Sequence, residues 1–248
     1  MKTDYRKYLE DMKFKVNPSE EPLPLELDEN LMPIPTFRDM ENVTLPLNDG
    51  EMKNKFKSIQ GTTCKMSTFA IGSLINLIVS EMSEDEAFLN IGVWHGYTFF
   101  SGLLGNENKK CIAVDNFSEF QVNNPRDNFN RVFDTIKSEN HVLYEMDCFE
   151  YLKKHHSSRL GLYMYDGKHT EELQLKGLVE AEPYFSDDCV IMIDDLNQGC
   201  IITNAIETFL EQSKYNYNIL FEKTTHSNGH PSFWAGLFLM QKGEPKQS

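Results

Sequence analysis

Two short acidic motifs hold most of the chemistry available to this chain. Asp166 and His169 lie in YDGKHTEE (165–172), and Asp194 and Asp195 lie in VIMIDDLN (190–197). Each motif closes an apolar run, LGLYMYD (160–166) and CVIMIDD (189–195), of the kind that forms a buried strand. Neighbouring strands of a parallel sheet lie about 4.8 Å apart, so these carboxylates should converge at one mouth. Three acids in one place repel unless something positive joins them. A hard divalent cation such as Mg²⁺ is the natural partner, held by Asp166, Asp194 and Asp195. The plainer alternative is that one of the paired acids caps the next helix. Asn197 is a weaker candidate ligand, offset by two residues. His169 sits three residues past Asp166, and an unperturbed imidazole titrates near 6.5, which suits a general base working beside that carboxylate.

A second cluster is glycine-based. LNIGVWHGYTF (89–99) places Gly92 and Gly96 after an apolar run and before a helix, where backbone can approach a ligand and helix N–H groups are free. The dinucleotide fingerprint is G-x-G-x-x-G; this is G-x-x-x-G, and the missing glycine argues against a nicotinamide site. About 20 residues on, Asp115 ends CIAVD, where an acid can accept from both ribose hydroxyls. Met146-Asp147-Cys148 follows the next strand and could reach an adenine edge. Trp94, His95, Phe117 and Phe120 could shape the pocket or belong to the core. His226 and His230 could touch a substrate or be part of a polar turn.

The elements that must position these residues alternate. Thr62 or Thr63 can cap a helix with Met66, Phe69, Ala70, Leu74, Leu77 and Ile78 on one face. Strands are predicted at 87–93, 111–115, 141–146, 160–166 and 189–195. Helices are predicted at 126–138, after Asp147, at 170–185 and at 200–213. With right-handed crossovers these imply a Rossmann-like doubly wound, mostly parallel sheet with helices on both faces, seven-stranded once the C-terminal hairpin is counted. YNILFEKTT (217–225) and SFWAGLFLMQK (232–242), joined by HSNGHP, predict an antiparallel C-terminal hairpin. Residues 1–58 carry prolines at 18, 22, 24, 33, 35 and 46 and little periodicity beyond a short helix at 4–14. They read as an extension that caps a main domain at 59–248.

The order LNIGVWHGYT, CIAVD, MDCFEYL, YDGKHTEE, VIMIDDLN resembles the class I S-adenosylmethionine-dependent methyltransferases. More narrowly, it resembles the branch with macrocin-type O-methyltransferases acting on small molecules. The resemblance spans roughly 60–248, and Asp-Gly-x-His followed by Ile-Asp-Asp is its most specific part. It implies S-adenosylmethionine as cofactor, with Asn90, Gly92 and Gly96 at the methionine end, Asp115 at the ribose and Asp147 with Cys148 at the adenine. It implies a metal at the strand-end acids, a small-molecule hydroxyl as methyl acceptor, and a homodimer. Asn90 departs from the family, which commonly has an acid there. Competing readings are a metal-independent N- or carboxyl-methyltransferase and a non-catalytic cofactor-binding domain.

Bulk properties narrow the partners. A net charge of −14 repels phosphate backbones, so no nucleic-acid partner is expected. No apolar run reaches the roughly 18 residues of a membrane span, and no secretory leader is present, so the expected location is the cytoplasm. Five cysteines lie far apart without a CxxC pair, which reads as buried thiols rather than a zinc site.

Overall fold

A computed structural model describes residues 2–18 and 38–247. Pro22, Pro24, Pro33 and Pro35 lie outside the described residues. The chain opens with α1 (Tyr5–Glu10), whose first turn is capped by the Asp4 carboxylate accepting from the Lys7 N–H. Two short strands, β1 (Lys13–Phe14) and β2 (Val43–Thr44), pair antiparallel and flank α2 (Arg38–Asn42). Then come α3 (Asp49–Phe56), α4 (Phe69–Glu81), β3 (Glu86–Ile91), α5 (Tyr97–Leu103), β4 (Lys110–Val114), α6 (Pro125–Ile136), β5 (His141–Tyr144) and α7 (Cys148–Lys154). The second half holds β6 (Arg159–Tyr165), α8 (Glu171–Ala181), β7 (Phe185–Asp194), α9 (Cys200–Gln212), β8 (Tyr215–Lys223) and β9 (Leu237–Pro245).

The large sheet has the order β5-β4-β3-β6-β7-β9-β8, parallel from β5 through β7, with β9 antiparallel to both β7 and β8. Strand side chains alternate between two cores, as a period of two demands. Phe88, Ala113, Met164 and Met192 face α4 and α5, whereas Leu89, Val114, Tyr165 and Ile193 face α8 and α9. Every residue of β3 is buried, because helices cover both sheet faces. Phe99 and Phe100 of α5 pack on Phe129 and Phe133 of α6, the Phe100 and Phe129 centroids 4.9 Å apart. Each such ring, fully buried, contributes about 1.5–3 kcal/mol. Tyr5, Tyr8, Leu9, Met40, Val43, Met52 and Phe56 from the N-terminal stretch join the α4–α5 core.

Three expectations are corrected. The cap of α4 is Thr68, whose hydroxyl accepts from the Ile71 N–H, so Thr62 and Thr63 precede the helix and Met66 is partly exposed. The reason is tertiary: Lys65 is drawn into a buried pair with Asp39 at 2.5 Å, which takes 61–67 off the helical path. The connection between β8 and β9 is also longer than HSNGHP, running over 224–236. There Trp234 and Gly236 take left-handed backbone, and His230 pairs with Trp234. Finally, Cys111 and Cys189 are buried, but Cys200 is exposed at the start of α9.

Candidate active site

The strand order reverses beside β3: β4 and β5 continue to one side, β6 and β7 to the other. In a doubly wound sheet the crevice outside the carboxyl ends of the strands at such a point receives the ligand. Here it is bounded by the glycine turn after β3 and by the end of β6. The Asp166 N–H donates to the Ile91 carbonyl at 2.8 Å, carrying the β3–β6 pairing to the tip. Gly92 (φ +74°) makes this closeness attainable, since a Cβ there would lie 2.0 Å from the Asp166 carbonyl oxygen. Gly96 (φ +93°) begins α5, and a Cβ there would meet Phe100 at 2.4 Å.

Asp115 stands beyond β4 and organises the same turn. One carboxylate oxygen, Oδ2, accepts from the Val93 and Trp94 N–H groups at 2.9 and 2.8 Å, and Oδ1 accepts from the Phe117 N–H at 2.7 Å. A carboxylate offers about four lone-pair sites, so a hydroxyl reaching Asp115 must share with these amides. Asn90 is wholly buried, its Oδ1 accepting from the Thr98 hydroxyl at 3.0 Å, and so ties β3 to the first turn of α5. Asp147 caps α7, accepting from the Phe149 and Glu150 N–H groups. Cys148 follows it, with burial pushing its thiol up to about 11.

The acidic residues follow the ends of β6 and β7. His169 Nε2 sits between Asp166 Oδ1 at 3.3 Å and Asp195 Oδ2 at 3.2 Å. An imidazole of the chain itself thus lies between two of these acids. Burial opposes charge on this ring, but Asp166 and Asp195 outweigh it, and the His169 pKa lies above its ordinary value. Asp195 holds left-handed backbone (φ +59°) and shares Oδ2 with the Gln198 amide. Its carboxyl is pushed up by burial and by Asp166, against the pull of His169. Asp194 points into the fold, buried, with Oδ1 accepting from the Asp195 N–H at 2.9 Å. Burial first, then Asp195 and Asp166, hold its carboxyl far above the usual range.

The groups placed to share a metal ion are thus Asp166, His169 and Asp195, one ligand atom from each lying within 4.8 Å of the others; Asp194 stands outside this set among the described residues. Asn197 is spent elsewhere. Its Nδ2 donates to the Thr225 hydroxyl and to Asn228 Oδ1, and its Oδ1 accepts from the Thr225 N–H, pinning the 224–236 connection to the end of β7. His230 is buried with Nδ1 on Ser232, while His226 is exposed. Phe117 belongs to the core and Phe120 is two-thirds exposed (66%). Two residues hold a loop in ways that sequence reasoning did not foresee. Trp94 Nε1 donates to the Phe120 carbonyl at 2.9 Å, and His95 Nε2 lies 3.2 Å from the Val122 carbonyl oxygen. No sequence spacing signals a side chain that holds a backbone carbonyl some 26 residues away.

Residues 89–196 match the model of a methyltransferase domain, a span that contains the glycine turn, Asp115, Asp147, Asp166, His169 and Asp195. In fold the chain is similar to the O-methyltransferase TomG from Streptomyces achromogenes, involved in tomaymycin synthesis and solved with S-adenosylmethionine. That likeness has a TM-score of 0.50 and 11% identity, and covers 89% of this chain and 92% of that one. It is similar to an S-adenosylhomocysteine-bound methyltransferase from Podospora anserina, with TM-score 0.51 and 13% identity over 71% and 78% of the two chains. It is also similar to a cofactor-bound protein from MTB, with TM-score 0.55 and 13% identity over 81% and 93%. No curated protein matches the chain by sequence. Among the described residues no helix is long and apolar enough to cross a membrane.

Proposed function

We propose that this chain, which carries a methyltransferase domain on the fold of the class I S-adenosylmethionine-dependent enzymes, methylates a hydroxyl oxygen of a small molecule with His169 as general base. The observation that carries the reading is the His169 ring, held between Asp166 and Asp195 just past the end of β6, the strand paired with β3 where the glycine turn begins.

The glycine turn suits the cofactor: Gly92 lets the backbone after β3 lie against the end of β6, Gly96 lets it turn into α5 over Phe100, and Asp115 faces the turn with a carboxylate. In this reading Gly92, Gly96 and Asn90 lie toward the methionine end, Asp115 toward the ribose, and Asp147 with Cys148 toward the adenine. Bound S-adenosylmethionine supplies an electrophilic methyl group on a sulfonium and a neutral leaving group. What remains for the chain is alignment of the acceptor oxygen and removal of one proton. His169 receives that proton at Nε2, and the imidazolium so formed is stabilised by the two carboxylates beside it. Residues 2–18 and 38–58 cap the domain at 59–248, and with 117–126 and 224–236 they set which acceptor enters.

A second reading is favoured by the three converging ligand atoms. Asp166, His169 and Asp195 would hold a divalent cation, which supplies Lewis acidity toward a hydroxyl. The imidazole nitrogen in the set suits Zn²⁺, and the two carboxylates suit Mn²⁺ or Mg²⁺.

The test is a methyl-transfer assay with labelled S-adenosylmethionine against a panel of hydroxyl-bearing acceptors. His169→Gln is expected to slow turnover by about 10²-fold or more while leaving cofactor affinity within about twofold. Because the His169 pKa is raised, the base form appears as pH climbs, and the rising limb of turnover should centre above 6.5. An unaltered rate in the variant removes His169 as the base. Loss of turnover in EDTA, restored by a divalent cation, selects the metal reading instead.

A further inference from the structure

His169 is the residue immediately before the cap of α8: Thr170 is the N-cap, its hydroxyl accepting from the Leu173 N–H, and Gln174 is the fourth residue of the helix. These two positions face one another across the first turn of any capped helix, where an apolar pair commonly packs as a staple. Here both are polar. Gln174 is fully buried, and neither its Oε1 nor its Nε2 has a hydrogen-bond partner of good geometry; the buried Nδ1 of His169 has none either. Gln174 nevertheless lies near enough to raise the affinity of the ring for its proton. Three buried polar atoms on these two residues would cost several kcal/mol if left without partners. A hydrogen bond from Nδ1–H to Oε1 would satisfy two of them at once.

We propose that Gln174 is the positioning residue of His169, accepting from Nδ1–H and so reserving Nε2 for the proton that leaves the acceptor. This rests on the reading of His169 as the base. Asp166 and Asp195 both face Nε2, and by themselves they favour the neutral ring that keeps its hydrogen there. That tautomer would leave the basic lone pair on Nδ1, buried and turned from the crevice. An acceptor at Nδ1 supplies the counterweight, as outer partners of functional histidines do. The amide is otherwise hard to justify, because leucine or methionine would fill the same buried volume without stranding polar atoms.

The experiment is a two-bond ¹⁵N–¹H spectrum of the His169 ring, recorded above its pKa on the full chain, for the wild type, Gln174→Met and Gln174→Glu. The expected result is an Nδ1–H tautomer in the wild type, a shift to Nε2–H in Q174M, and Nδ1–H restored in Q174E. Q174M should melt no lower than the wild type, since it removes unpaired buried atoms. Its turnover should fall about tenfold with the KM for S-adenosylmethionine unchanged, and recover in Q174E. A tautomer that is the same in wild type and Q174M overturns the proposal. So does a melting temperature several degrees lower in Q174M, which would make Gln174 a packing residue. If the tautomer moves as expected but His169→Gln leaves turnover untouched, the positioning role stands and the base assignment falls.

Discussion

Replacing Gly92 by alanine tests the placement of the glycine turn against the end of β6. Two costs arise. Holding alanine in left-handed backbone at φ +74° costs about 1–2 kcal/mol. The new Cβ also meets the Asp166 carbonyl oxygen at 2.0 Å, and reaching an ordinary contact of 3.4 Å requires about 1.4 Å of separation between the turn and β6. The turn can shed the strain by moving away, but that conformer does not present the backbone to the cofactor. A competent population reduced by 1–2 kcal/mol weakens apparent affinity by about 5- to 30-fold, a lower bound because the overlap adds to it. The same displacement pulls Asp166 and His169 off line, and a shift of about 1 Å costs on the order of 10²-fold in rate. Calorimetric titration with S-adenosylhomocysteine gives the first number and methyl-transfer kinetics the second. Gly50→Ala is the control: a Cβ at Gly50 meets nothing within 4 Å, so binding should be unchanged and α3 slightly firmer. Wild-type affinity and turnover in Gly92→Ala would refute the claim that this turn seats the cofactor against β6.

Three further outcomes follow from the same geometry. Asp115→Ala removes the acceptor for the Val93, Trp94 and Phe117 amides and should abolish measurable binding of S-adenosylhomocysteine; unchanged affinity would end the ribose assignment. Asp194 has a folded pKa raised above its unfolded one, so its contribution to stability is present at low pH and lost as pH rises through the raised value. Asp194→Asn should therefore melt higher than the wild type, with a gap that widens from acid to neutral pH; a gap that narrows contradicts this. His156 is the opposite case: burial lowers its pKa to about 4 while Tyr151 and Ser158 hold the ring. Its stabilisation is present above the unfolded value near 6.5 and lost as pH falls toward 4, about 3 kcal/mol in all. Denaturant titrations of His156→Gln across that range should show this slope flattened, and an unchanged slope would assign it to other groups.

Much was legible before any tertiary contact was known. Apolar runs ending in Gly92, Asp115, Asp166 and Asp194, alternating with helical periodicity, allow only a parallel doubly wound sheet, and parallel strands bring all their carboxyl ends to one edge. The glycines were readable because turns this tight leave no room for a Cβ, which would strike Asp166 at Gly92 and Phe100 at Gly96, and the missing third glycine was informative as a departure from the dinucleotide fingerprint. Which of two adjacent acids serves the crevice was not legible. A one-residue step along a strand reverses the facing side, and the left-handed turn at Asp195 sends its carboxylate to His169 while Asp194 goes into the fold. The capture of Asn197 by Thr225, the start of α4 at Thr68 and the burial of the Gln174 amide in the first turn of α8 also required the folded chain. Each depends on a partner that periodicity does not carry, supplied by the 224–236 connection, by Asp39 or by the first turn of α8. Local pattern therefore determined where the crevice lies, and three-dimensional packing decided which side chains face into it.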